Sequence, residues 1–221
     1  MSNVLVWFHN DLRLGDNPAL VKAIESGNKV IPIYIWDEND SDLHTGSAGK
    51  WWLHQSLDRL SNRIEELGNK LVLRKGNPKS IIEEFISQNN ISKIFMNRRF
   101  EPQIIERDED ILSQIDHEIT NGNLLFDPED IRTKQDKQYT VFTPFWKNCK
   151  MQTEPHEPLA IPSEIPAPDK FPESLSLDEM GLLPKIKWYE TFEKKWRPGE
   201  EEANRILAVS YTHLRAHETA T

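Results

Sequence analysis

Short apolar runs alternate with stretches of helical periodicity through the first half of the chain. Residues 4–8 (VLVWF), 30–36 (VIPIYIW), 70–74 (KLVLR) and 93–97 (KIFMN) are unbroken rather than alternating, as strands covered on both faces are. Between the second and third runs lies GKWWLHQSLDRLSNRIEELG, residues 49–68. There Leu53, Leu57, Leu60, Ile64 and Leu67 recur at four-three spacing on one face, and Gly68 is placed to stop the helix. A second helix over about residues 80–89 follows Asn77-Pro78. A third, over about 102–117, turns Ile104, Ile105, Ile111, Leu112 and Ile115 inward. The NGN at 121–123 turns the chain into LLF, 124–126, as a further strand. This alternation predicts an α/β fold: a Rossmann-like open parallel five-stranded sheet with helices on both faces, followed by an extended linker.

The loop after the first run is the first place where chemistry gathers. In the commonest nucleotide folds a strand-to-helix loop holds several glycines, so that backbone amides approach phosphates closely. This loop has Gly15 alone, with Asp11, Arg13 and Asp16 in alternation and His9-Asn10 where the strand ends. Asn17 suits an N-cap and Pro18 a first helical position. Arg13, between two acids, is placed to bridge Asp11 and Asp16 as a structural ion-pair loop. His9 and Asn10 fall just outside the carboxyl end of the strand, where open α/β sheets bind ligands. The matching positions after the second and fourth strands are Trp36-Asp37-Glu38 and Asn97-Arg98-Arg99-Phe100-Glu101. Lining one crevice together, they suit a planar ligand with a polar edge; each singly also reads as a solvated loop residue. Trp51 and Trp52 open the long helix and read first as core, second as a stacking surface.

Beyond Asp127 the character changes. Residues 132–150 hold five Lys or Arg against one Asp, interleaved with Tyr139, Phe142, Phe145 and Trp146. Residues 154–180 hold six prolines and seven acids against one lysine, a composition that buries too little apolar surface to fold alone. A new helix then starts near Pro198, where three consecutive glutamates suit the positive end of the dipole. The net charge of −9 and pI near 5.3 argue against a surface that grips nucleic acid throughout, leaving the strip at 132–150 as the local exception. Cys149 is the single cysteine, and neither a signal peptide nor a spanning apolar run is legible, so the expectation is a cytoplasmic protein without an internal disulfide or membrane anchor. His213 and His217 have helical metal spacing but no further ligands to complete a shell, so no metal is expected. No Walker loop, Ser-His-Asp order or cysteine cluster nominates a catalytic centre.

Four motifs, VWFHNDLRLGDNPAL (6–20), GSAGKWWLHQSL (46–57), NRRFEPQIIERD (97–108) and YTVFTPFWK (139–147), resemble the DNA photolyase and cryptochrome family and stand in its order. KWRPGEEEA (195–203) is similar to the family's lead-in to its helical domain. The resemblance implies an antenna domain over 1–130, an interdomain linker over 131–193, the start of a truncated helical FAD domain over 194–208 and a non-native tail over 209–221. It implies an antenna chromophore (folate, deazaflavin or flavin) near His9, Asn10, Asp11, Trp36, Asp37, Glu38, Arg98, Phe100 and Glu101, with no catalytic residue in this chain. His9-Asn10 stands where the family commonly has arginines, and Gln103-Ile104 where some folate-binding members place Asn-Glu, so the three chromophores stay open. FAD and damaged DNA would be held by a helical half, in a monomer that splits cyclobutane pyrimidine dimers with light; the chain alone is expected to be inactive. The strip at 139–147 is expected to pack between domains. The alternatives are a cryptochrome-type photoreceptor and a stand-alone nucleotide-binding module.

Overall fold

The structure, a computed structural model, describes residues 2–38, 45–151 and 156–218, with 212–218 given by their backbone alone. Five strands, β1 (Asn3–Phe8), β2 (Lys29–Trp36), β3 (Val72–Lys75), β4 (Ile91–Asn97) and β5 (His117–Thr120), form one parallel sheet in the order β3-β2-β1-β4-β5. Four helices connect them: α1 (Pro18–Glu25), α2 (Ser47–Glu66), α3 (Pro78–Gln88) and α4 (Pro102–Leu112). Three more follow, α5 (Phe142–Met151), α6 (Glu190–Glu193) and α7 (Glu200–Glu218).

The unbroken apolar strands are explained by two cores, one on each face of the sheet. Val4, Val6 and Phe8 of β1 pack with Leu20 of α1 and Leu57, Leu60 and Ile64 of α2. Leu5 and Trp7 point the other way and pack with Ile82 and Phe85 of α3 and Ile111 and Leu112 of α4. Each fully buried side chain of this size adds about 1.5–3 kcal/mol of transfer free energy, so both faces contribute. Asn17 caps α1 by accepting the Leu20 N–H at 3.2 Å, and Asn77 caps α3 in the same way from Ser80. Gly68 ends α2 at φ +83°, a conformation that an L side chain resists.

Two expectations from the pattern are corrected. The fifth strand is HEIT at 117–120, not LLF at 124–126, whose Leu124 and Leu125 are exposed. An edge strand needs pairing more than apolarity; β5 pairs in register with β4 from Ile94 to Asn97 and its Glu118 meets Lys93 at 3.0 Å. Because β5 claims residues 117–120, α4 stops at Leu112, leaving Ile115 beyond it and Ile105 on the exposed side.

The proline-rich segment has no core of its own and uses that of the sheet. Ile165, Met180 and Leu182 are buried in the cluster on the α1–α2 face. Its backbone is tied down where β2, α2 and β3 leave groups unpaired: Val30 N–H donates to Pro166 O (2.7 Å), Ile165 N–H to Leu67 O (3.0 Å) and Leu175 N–H to Leu73 O (3.0 Å). Buried Asn69 completes the joint, its Nδ2 donating to Val30 O at 2.9 Å and to Ile165 O and Pro166 O at longer range. By contrast α5 leaves Phe142 and Trp146 exposed and stacked at 6.5 Å, while Cys149 is buried. Among the described residues no helix is long and apolar enough to cross a membrane. Asn69→Ala should lower stability in urea denaturation by about 1–3 kcal/mol, the cost of unsatisfied buried carbonyls. An unchanged midpoint would show that the segment is not fastened there.

Candidate functional site

The loop between β1 and α1 is organised by its own buried Asp11 and Asn17, by buried Asn97, and by half-buried Thr120 and Glu200. Asn97, at the end of β4, donates through Nδ2 to Asp11 Oδ2 (2.6 Å) and Asn17 Oδ1 (2.9 Å), and accepts from the Thr120 hydroxyl at 2.7 Å. The second oxygen of Asp11 accepts the His9 N–H at 2.7 Å. Arg13 does not bridge Asp11 and Asp16 as its spacing suggested; it donates to the carbonyls of Asp16 and Gly122. The reason is that Asp11 is already claimed by Asn97 and His9, while Asp16, at φ +49°, turns to Leu159. The carboxylate of Glu200, from α7, accepts the N–H groups of Leu14 and Gly15 at 2.8 Å each.

Beside this loop, above the carboxyl ends of β1 and β2, lies a cavity of about 590 Å³. Its aromatic lining comes from Trp7, Tyr34, Trp36 and Trp52, and its charged lining includes Arg99 and Arg107. Gly199, Glu200 and Ala203 of the α7 start also line it. Both arginines have carboxylate partners: Arg99 with Glu101 (3.2 Å) and Arg107 with Asp108 (2.7 Å). Arg107 also lies 5.7 Å from the Trp7 ring centroid, and Lys50 5.8 Å from that of Trp36.

His9 sits at the back of this cavity with its ring 4.5 Å from that of Trp7. Among the described lining residues it is the one whose buried side-chain nitrogens meet no protein hydrogen-bond partner. Burial, and then the charges of Arg99 and Arg107, hold its imidazole well below the ordinary value of 6.5. Burial likewise raises the Tyr34 phenol and the Asp108 carboxyl, whereas the hydrogen bonds from Arg99 lower Glu101. The wall thus carries a neutral imidazole beside two internally balanced ion pairs, and suits a flat, polar-edged group.

Of the residues nominated from sequence, His9, Asn10, Asp11, Trp36 and Asp37 share this lining. Four lie outside it. Glu38 is exposed and meets Lys75 at 3.0 Å; Arg98 meets Asp127 at 3.0 Å; Phe100 is half-buried; Glu101 supports the cavity only through Arg99. The alternation that carries Asn97 inward and Arg98 outward turns Arg99 back in, 7% exposed, so strand periodicity pointed to Arg99. Trp51 is core as read first, but Trp52, 44% exposed, faces the cavity. One helical step of about 100° separates neighbours, so both could not face the core. Tyr34 shares a strand face with Trp36, a signal available in the sequence. Glu200, 185 residues from Gly15, had none. His213 and His217 lie among residues whose side chains are not described.

A family model described as DNA photolyase matches residues 4–168. Over 206 residues the chain is 39% identical to a deoxyribodipyrimidine photo-lyase of Agrobacterium fabrum (strain C58), covering 90% of this chain and 43% of that protein. It is 31% identical to Arabidopsis thaliana cryptochrome-2 over 215 residues, 92% of this chain and 35% of that one. Among solved structures, a bacterial class III photolyase from Agrobacterium tumefaciens superposes with a TM-score of 0.84 at 37% identity, covering 90% of this chain and 42% of that chain. The chain therefore spans less than half the length of these relatives.

The buried His9 makes stability depend on pH. Its folded pKa lies below the unfolded value, so the unfolded chain binds more protons below about pH 6.5. Its contribution is full above that pH and lost as pH falls toward the folded value. Urea midpoints of wild type and His9→Phe should therefore diverge between about pH 7 and pH 5, the wild type losing more stability. Parallel profiles would mean that His9 is solvated.

Proposed function

The chain belongs to the DNA photolyase family, and we propose that its α/β unit is an antenna domain whose cavity above β1 and β2 seats a flat light-absorbing chromophore. The observation that supports this most is the lining itself: four aromatic side chains and a neutral histidine around about 590 Å³, a size that suits a fused-ring heterocycle. Folate, deazaflavin and flavin share that chemistry, a planar ring system with a hydrogen-bonding edge. When bound, such a group absorbs light and passes its excitation to a flavin by dipolar coupling, without bond chemistry from the protein. The residues here bind and orient. Tyr34, Trp36 and Trp52 offer ring faces, Arg99 and Arg107 fix a polar edge, and His9 and Asn10 supply hydrogen-bonding groups.

For the whole protein we propose light-driven splitting of cyclobutane pyrimidine dimers, with FAD and damaged DNA held by a helical half that this chain does not span. The identity to the photo-lyase, 39% against 31% for cryptochrome-2, favours repair over signalling.

Fluorescence titration of the purified chain with methenyltetrahydrofolate, 8-hydroxy-5-deazaflavin and flavin mononucleotide should find one-to-one binding of at least one. Trp36→Ala should weaken it by about tenfold, through the loss of stacking. FAD should not stay with the chain through gel filtration. Failure of all three probes to bind, or stoichiometric FAD, would overturn the antenna reading.

A further inference from the structure

The β1–α1 loop presents two successive N–H groups, of Leu14 and Gly15, and a single carboxylate occupies them. Glu200 Oε2 accepts from Leu14 and Oε1 from Gly15, both at 2.8 Å. Consecutive amides of this kind form an anion-binding concavity, and a charged acceptor makes each bond stronger than a neutral one. Gly15 is demanded by the contact: a Cβ there would stand 2.6 Å from Glu200 Oε1. Because Glu200 is the first residue of α7, the grip fixes the turn that places Gly199, Glu200 and Ala203 in the cavity lining. The lead-in to that turn also packs on α2, Trp196 edge-on to Trp52 at 6.2 Å and Gly199 against Arg59, and its ion pair is weaker. Glu201 reaches Arg63 of α2 at 3.4 Å, with Glu201 well exposed and Arg63 half-exposed to screening solvent.

We propose that Glu200 is a latch, a positioning residue whose grip on the Leu14 and Gly15 amides holds the first turn of α7 as one wall of the cavity, and whose release lets the ligand in and out. For its ligand this inference rests on the antenna reading; for the fastening it rests on the geometry alone. Glu200 itself lines the cavity, so loss of affinity in a Glu200 variant has two sources. Gly15 does not line it, and a side chain there meets the Glu200 carboxylate first, at 2.6 Å, and then Ile161 Cγ1 at 3.3 Å, which lies outside the lining too.

The test uses the full chain and the probe that binds in the titration above. Glu200→Ala and Gly15→Ala should each speed hydrogen exchange at the amide of Leu14 by about tenfold or more, the scale of a lost hydrogen bond to a charged group. Stopped-flow mixing should show both association and dissociation of the probe accelerated, with the dissociation constant changing less than either rate. Glu200→Gln, which keeps the shape but offers one acceptor oxygen, should move the same way with smaller amplitude. In the double variant Gly15→Ala should add less than it does alone, since the carboxylate it meets most closely is gone and only the Ile161 contact remains. Additive effects, or exchange at Leu14 unchanged by Glu200→Ala, would overturn the latch. Faster exchange with unchanged probe kinetics would overturn its role as the gate. If the wild type binds no probe, the antenna reading fails, while exchange and the double-variant comparison still decide whether the fastening exists.

Discussion

The structure turns on the hydrogen bonds that Asn97 makes at the end of β4. A carboxylate at 4% exposure, Asp11, and an N-cap at 1% exposure, Asn17, are costly to bury unless each finds a partner, and one amide group serves both. That amide is held in turn by Thr120 on β5, so the edge strand, two neighbouring strands and the first helix are locked at one point. A glycine-rich loop would leave its amides free for a phosphate. Here side chains take up much of the loop's polar capacity, and two successive N–H groups go to Glu200.

The cavity follows from that lock and from the sheet order. The chain builds outward from β1 through β2 to β3, then crosses back to place β4 on the other side of β1, and a crevice opens where the winding reverses. The immobilised loop forms one bank, and residues after β2 and β4 the other. Arg99 and Arg107 enter already matched with Glu101 and Asp108, so the wall presents direction rather than excess charge. His9 is held toward its neutral form there chiefly because burial denies a protonated ring its solvent, and the charges of Arg99 and Arg107 add to this.

The segment after Asp127 draws on the same α/β unit. Its prolines keep it extended, and Ile165, Met180 and Leu182, with Leu175 and Leu177 beside them, fill the α1–α2 face instead of nucleating a core. The backbone ties at Leu67 and Leu73 and the side-chain tie of Asn69 satisfy groups that the sheet edge and the end of α2 would otherwise leave to water. Asp16 joins it through Leu159, so the loop that shapes the cavity also anchors the wrap.

The sequence by itself determined what depends on local periodicity and caps. Unbroken runs meant strands buried on two faces, four-three spacing meant α2, and Asn17-Pro18 and Asn77-Pro78 marked helix starts, because these preferences act within one or two turns of chain. The position of the cavity was also legible, since His9, Asn10, Trp36 and Asp37 follow strand ends whatever the details. Tertiary structure alone decided the rest. It chose HEIT over LLF for β5, because pairing with β4 outweighed apolarity at a sheet edge. It gave Arg98 to Asp127, 29 residues further on. It denied Arg13 the two carboxylates beside it, since Asn97 reached Asp11 from 86 residues away. It brought Glu200 across 185 residues to Gly15. Each of these joins groups distant in sequence, and only the folded chain sets which of them come within hydrogen-bonding reach.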